Sequence, residues 1–280
     1  MSQTKRGTLQ FDGRDRTFYT HTPPQYDGKR KLPLMLSLHG GGGNATIHQK
    51  QTLLNDTADK YGFIVVYPEG TQCAGVKGSL CWNGGSCCGA AVDNKVDDIG
   101  FLSALIGKVI AMPGVDASRI YGSGFSNGAM MMARFATKRP LVLKGICCVG
   151  STLCVWLDSG GMCPDLPNLL HIHGAADTHS PFTGGIGDDA VSKVDHSSAY
   201  AVCDRWGAEG GSAYPIVALI DRRLEFNWDS NPRVVLHLLL DGGHTYPGGT
   251  DPRNGKDGPL VTTFSANEAM VEYFGLGGGK

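Results

Sequence analysis

The sequence predicts an α/β fold: a mainly parallel sheet covered by helices on both faces. Two observations carry this. Apolar strand-like runs alternate with helix-forming stretches along the whole chain, the pattern of a parallel sheet built from crossover units. Several of those runs also end at glycines, as in Leu169-Leu170-His171-Ile172-His173-Gly174 and Pro33-Leu34-Met35-Leu36-Ser37-Leu38-His39-Gly40. In open α/β sheets the groups that do chemistry lie beyond the carboxyl ends of the strands.

In order, the pattern predicts a hairpin over 7–22 with Asp12-Gly13 at its turn, a strand at 33–38 and a helix over 46–60. A strand at 63–67 is stopped by Pro68, and a glycine- and cysteine-rich loop fills 69–93. A helix at 96–112, a strand at 118–122 and a helix to 139 come next. The strand 145–149 leads to an irregular insertion at 151–167. A strand at 169–173, a helix at 195–208, strands at 214–220 and 233–240 and a helix at 265–274 complete the chain. Eight strands are expected in the sheet. With no repeat and no linker, residues 1–280 are expected to form a single catalytic domain.

Composition narrows the function. Hydrophobic residues make up 41% and charged residues 18%, which fits a folded enzyme and argues against disorder. A formal charge of −1 gives no electrostatic reason to expect nucleic acid or an anionic membrane as partner. No apolar run reaches the ~18 residues of a membrane span.

Between the strand at 118–122 and its helix lies Gly124-Phe125-Ser126-Asn127-Gly128, a G-x-S-x-G pentapeptide. A sharp strand-to-helix turn there strains the backbone of Ser126 and lifts its Oγ clear of the sheet. A serine hydroxyl becomes a useful nucleophile only when a base takes its proton, and imidazole titrates in the right range. The expected chain order in an α/β-hydrolase is nucleophile, acid, histidine. Asp177 follows a glycine-ended strand, and His244 lies past the strand 233–240 in Asp241-Gly242-Gly243-His244. His244 is expected to take the proton of Ser126, and Asp177 to fix the tautomer of His244 and stabilise the imidazolium. Asp165, Asp188 and Asp189 compete for the acid's place. His171 and His173 read as core or supporting residues.

Developing negative charge needs donors. His39-Gly40-Gly41-Gly42-Gly43-Asn44 matches the HGGG-type loop, so the amides of Gly41 and Asn127 are the expected oxyanion hole, with Gly42 the alternate for Gly41. His39 reads as structural. Trp82 and Asn83, in the cysteine-rich loop, could give substrate an aromatic wall and a polar handle, or pack beneath the loop.

Other motifs fail on inspection. Gly122–Gly128 has one residue too many for a dinucleotide fingerprint, and the four-glycine run lacks the G-K-[ST] of a phosphate loop. Neither paired C-x₂-C at zinc-ribbon spacing nor H-E-x-x-H occurs, so no metal is expected. The Met130–Met132 run reads as helix core. No signal peptide is visible, yet Cys73, Cys81, Cys87 and Cys88 crowd one loop and Cys147, Cys148, Cys154 and Cys163 another, with Cys203 apart. Such clustering suggests disulfides, whose pairing the sequence leaves open, and favours a secreted protein over a cytoplasmic one.

Taken together, the glycine loop, Trp82-Asn83-Gly84-Gly85, Val96-Asp97-Asp98-Ile99-Gly100-Phe101, the serine pentapeptide, His173-Gly174-x-x-Asp177 and Gly243-His244-Thr245-Tyr246-Pro247-Gly248-Gly249 resemble the polyhydroxybutyrate depolymerase-like esterases. That group includes the feruloyl and acetylxylan esterases of carbohydrate esterase family one. The resemblance spans about 8–275 and implies an α/β-hydrolase fold, no cofactor, and Ser126, Asp177 and His244 as the triad. Asp97 and Asp98 match a family signature and are expected to hold loops. Tyr246 stands where the family pattern has Trp, so the pocket edge is expected to differ there. The expected activity is hydrolysis of feruloyl-type esters of plant cell-wall sugars, with Trp82, Asn83 and Tyr246 at the substrate. The rivals are polyhydroxybutyrate depolymerase, acetylxylan esterase, peptidase, and a non-catalytic binding protein on the same scaffold.

Overall fold

A computed structural model describes residues 1–73, 75, 77–152, 165–212 and 214–277. Most of the expected insertion at 151–167, including Cys154 and Cys163, lies outside the described residues. The parallel strands are β3 (Leu32–Leu38), β4 (Ile64–Pro68), β7 (Val115–Phe125), β8 (Gly145–Val149), β9 (Asn168–Gly174) and β12 (Val234–Leu239). The hairpin β1 (Gln3–Phe11) and β2 (Arg14–Thr22) joins β4 antiparallel at one end of the sheet, and β10 (Ile216–Ile220) and β11 (Arg223–Trp228) join β12 at the other. Among the described residues the strand order is β1-β2-β4-β3-β7-β8-β9-β12-β11-β10, ten strands where eight are expected. Arg223–Trp228 accounts for part of the excess: its charged and polar residues alternate with apolar ones, and a tight turn at Asp221 (φ 52°) pairs it antiparallel with β10.

The central strands are apolar on both faces because helices cover both. On one face α4 (Asp98–Ile110), α5 (Asn127–Lys138) and α6 (Ala199–Glu209) bring Phe101, Leu102, Met131, Phe135 and Trp206 onto the sheet. On the other, α1 (Ala45–Thr52), α2 (Leu54–Tyr61) and α7 (Ala266–Phe274) bring Ala45, Leu54, Ala58, Met270 and Phe274. The single helix expected over 46–60 is two, because Leu53 adopts a left-handed conformation (φ 54°) and its N–H caps α1 on the Gln49 carbonyl. The long loop after β4 holds a two-stranded ribbon, β5 (Thr71–Gln72) with β6 (Leu80–Cys81), and the short helix α3 (Gly89–Asp93). Within it Cys87 and Cys88 are bonded to each other, while Cys73, Cys81, Cys147, Cys148 and Cys203 are free thiols. Among the described residues no helix is long and apolar enough to cross a membrane.

Candidate active site

Ser126 sits between β7 and α5 with φ 54° and ψ −123°, a conformation that costs on the order of 1–3 kcal/mol for a residue with a side chain. The glycines on either side make the turn possible. A Cβ at Gly124 would run into the Gly128 carbonyl, and one at Gly128 into the carbonyls of Leu38 and His39. The Ser126 N–H is held by the Val149 carbonyl at 2.9 Å, which ties the turn to the end of β8.

His244 Nε2 lies 2.8 Å from Ser126 Oγ, and His244 Nδ1 lies 2.7 Å from Asp177 Oδ2. Three loops from the carboxyl ends of β7, β9 and β12 therefore deliver one hydrogen-bonded line of side chains, in the expected chain order. Backbone bonds fix the two later loops to each other: Ala175 N–H donates to the Leu239 carbonyl and Ala176 N–H to the Gly242 carbonyl, each at 2.9 Å. The loop after β12 is pinned again where His244 N–H meets the Asp257 carbonyl at 2.6 Å. The Phe125 ring packs 5.1 Å from the imidazole of His244.

Burial pushes the Asp177 carboxyl up, but the hydrogen bond and charge of His244, the charge of His173 and the Ser180 N–H outweigh it and hold it below the ordinary carboxylate value. Oδ1 accepts from the backbone N–H groups of His179 and Ser180 at 2.9 and 2.8 Å. His173 and His171 lie behind the acid as expected. His173 Nε2 must donate to the Ser180 carbonyl at 2.7 Å, so its Nδ1 accepts from His171 Nε2 at 2.9 Å. Burial lowers the basicity of both rings.

The glycine loop after β3 faces the start of α5. A Cβ on Gly41 would lie 3.4 Å from the Cβ of Asn127, so the two backbones approach closely. Gly42 N–H is taken by the Leu80 carbonyl at 2.8 Å, which removes the alternate donor. His39 is structural: its Nδ1–H donates to the Gly40 carbonyl at 2.8 Å and its Nε2 accepts from Gly70 N–H at 3.0 Å.

Three expected substrate contacts need correction. Trp82 is 0% exposed, its indole N–H bonded to the His39 carbonyl at 3.0 Å and its ring against that of His39. Asn83 is 9% exposed and its amides are spent on Asp98 and Val96. Tyr246 is 2% exposed, with its hydroxyl on Asn267 at 2.9 Å. All three hold the loops around the site in place and offer a ligand almost no surface. An aromatic or amide in a glycine-rich loop gives the same sequence signal whether it faces in or out. Asn127 joins this scaffold: its side chain accepts from Trp82 N–H at 2.8 Å and donates to the Trp82 carbonyl at 3.1 Å. Two further residues, His179 and Asp257, stand beside His244 and are not singled out by the sequence, which does not show that the loops after β9 and β12 fold against each other.

Residues 17–158 match the Esterase PHB depolymerase family. The chain belongs to that family. Membership makes it a carboxylic ester hydrolase. Along its length this family member is 29% identical to NocK of Nocardia uniformis subsp. tsuyamanensis, a protein named as an esterase, over 95% of this chain and 80% of NocK. It is 34% identical to Feruloyl esterase B of Neurospora crassa over 45% of this chain, a match spanning only 40% of that protein's length. The acetyl xylan esterase from Aspergillus awamori has the same fold, with a TM-score of 0.67 over 97% of this chain and 99% of that one at 15% identity. The esterase α/β-hydrolase fold is thus the fold of this chain.

Proposed function

We propose that the chain is a serine carboxylesterase that works through an acyl-enzyme, with residues 1–280 acting as one catalytic domain. The observation that carries this reading is the unbroken line Ser126–His244–Asp177, with 2.8 and 2.7 Å between its polar atoms. His244 takes the proton of Ser126 as Oγ attacks the ester carbonyl, and the alcohol leaves with that proton. Water, activated by the same imidazole, then releases the acid. Asp177 keeps the proton on Nδ1, so that Nε2 faces the serine. The amides of Gly41 and Asn127 receive the oxyanion. No cofactor enters the scheme.

For the acyl group we favour hydroxycinnamoyl esters of cell-wall sugars, a reading supported by the relative named as a feruloyl esterase. Burial of Trp82 and Tyr246 favours a second reading, short acyl groups such as acetate, because it withdraws the aromatic wall a ferulate would stack on. The bonded pair Cys87–Cys88 supports an exported enzyme, whereas Cys147 and Cys148 are buried free thiols within β8 and lend that reading nothing.

The deciding experiment is initial rates on methyl ferulate, p-nitrophenyl acetate, p-nitrophenyl butyrate and a hydroxybutyrate oligomer. The first reading expects kcat/KM for methyl ferulate at or above that for the activated acetate. Turnover of the short esters without ferulate would replace it with the second, and turnover of the oligomer alone would make the chain a polyester depolymerase.

A further inference from the structure

His179 occupies a position that the reaction scheme above does not use. Its backbone N–H holds Asp177 Oδ1 at 2.9 Å. Its ring then turns back to lie face to face with His244, centroids 4.8 Å apart and planes 13° from parallel. Its far edge meets the loop that carries His244: Nε2 lies 3.4 Å from Asp257 Oδ1, and Asp257 is tied to Arg253 Nη1 at 2.8 Å. Asp257 also holds the His244 backbone through its own carbonyl. The ring is 12% exposed, and its Nδ1 is buried without a hydrogen-bond partner among the described residues. One residue thus touches the acid through its backbone and the base through its face, and it reaches the base's loop through its edge.

We propose that His179 is a positioning residue for ester hydrolysis: a neutral imidazole that clamps one face of His244 and holds its ring in line between Ser126 and Asp177. This rests on the serine-esterase reading. Rotation of the His244 ring about its Cβ–Cγ bond would break both of its hydrogen bonds at once, and a flat ring stacked on one face blocks that rotation. Stacking also excludes water from that face when the imidazolium forms. A charged ring there would instead oppose the proton that His244 must accept. Burial lowers the basicity of His179, and the neighbouring His244 and Arg253 lower it further. Asp257 and Asp177 act the other way without reversing the shift.

The test uses the full chain carrying His179→Ala, His179→Phe or His179→Gln, with p-nitrophenyl acetate as substrate. Misplacing a reacting group costs rate steeply, so Ala should lower kcat by about tenfold to a hundredfold while KM stays within about twofold. Phe, which keeps a flat ring, should recover most of that loss, whereas Gln, which keeps only a polar group, should not. Inactivation by a fluorophosphonate should still reach one adduct per chain in every variant, with the Ala rate reduced in parallel with kcat. The proposal is overturned if Ala leaves kcat unchanged, if the loss falls on KM, or if Phe is as poor as Ala. Should Ala not fold, equal activity of Phe and Gln overturns it. A wild-type chain that takes no adduct at Ser126 would overturn the serine reading itself.

Discussion

At the scale of single residues, the site depends on atoms that must be donors on one side and acceptors on the other. Asp177 Oδ2 can only accept, which forces the proton of His244 onto Nδ1 and leaves Nε2 to accept from Ser126. Asn in its place keeps the size of the side chain but can donate to Nδ1 and invert the tautomer. Asp177→Asn should therefore lower kcat by about 10⁴ with little change in KM for a small activated ester, as measured by steady-state kinetics. A variant within threefold of wild type would assign the acid elsewhere. His39 makes the contrast clear. It neighbours the glycine loop, but both ring nitrogens are committed to backbone groups and burial holds its pKa at about 4, so no proton is available to chemistry.

At the scale of elements, the loops around the site are held by buried polar pairs as well as apolar packing. Asp97 caps α4, accepting from Gly100 N–H at 2.8 Å. Asp98, fully buried, accepts from Arg16 Nη2 of β2 at 2.7 Å and from Asn83 N–H at 2.8 Å, so one carboxylate joins the edge hairpin, α4 and the cysteine-rich loop. Arg16 in turn lies over the Phe101 ring. Removing one member leaves an uncompensated charge in the interior. Asp98→Ala should destabilise the fold by about 3–5 kcal/mol in a denaturant titration. A loss below ~1 kcal/mol would show that Arg16 finds water instead. That these acids hold loops was legible only through the family resemblance, which carries the Val96-Asp97-Asp98 signature; the cap at Asp97 is seen in the structure alone. The break at Leu53 was not legible, because no glycine or proline announces it, and neither was β11, whose charged residues read as loop.

Over the whole molecule, the parallel sheet and the three side chains past its strand ends were legible because both follow from short-range rules: apolar runs, glycine stops and strand-to-helix turns. What escaped depends on which way a side chain turns after the backbone is placed. Trp82 and Tyr246 point inward, and His179, in the loop after β9, stacks on His244 in the loop after β12, outcomes decided by loop packing. The fold also buries many imidazoles, with a consequence for acid stability. Burial holds His48 at about 3, and His39 and His237 at about 4, against 6.5 when exposed. Folded pKa values below the unfolded ones mean that the unfolded chain binds more protons between about pH 4 and 6.5, so stability falls as pH falls through that window. The thermal midpoint should be level above about pH 7 and drop steadily toward pH 4.5; a level or rising midpoint there would contradict the burial of these rings. The central claim, that ester hydrolysis passes through Ser126, is tested most directly by reacting the chain with a fluorophosphonate and mapping the adduct by peptide mass. The account predicts one adduct per chain on the peptide containing Ser126, rising in step with loss of esterase activity. Full inactivation with the adduct on another residue, or no adduct while activity disappears, would contradict it.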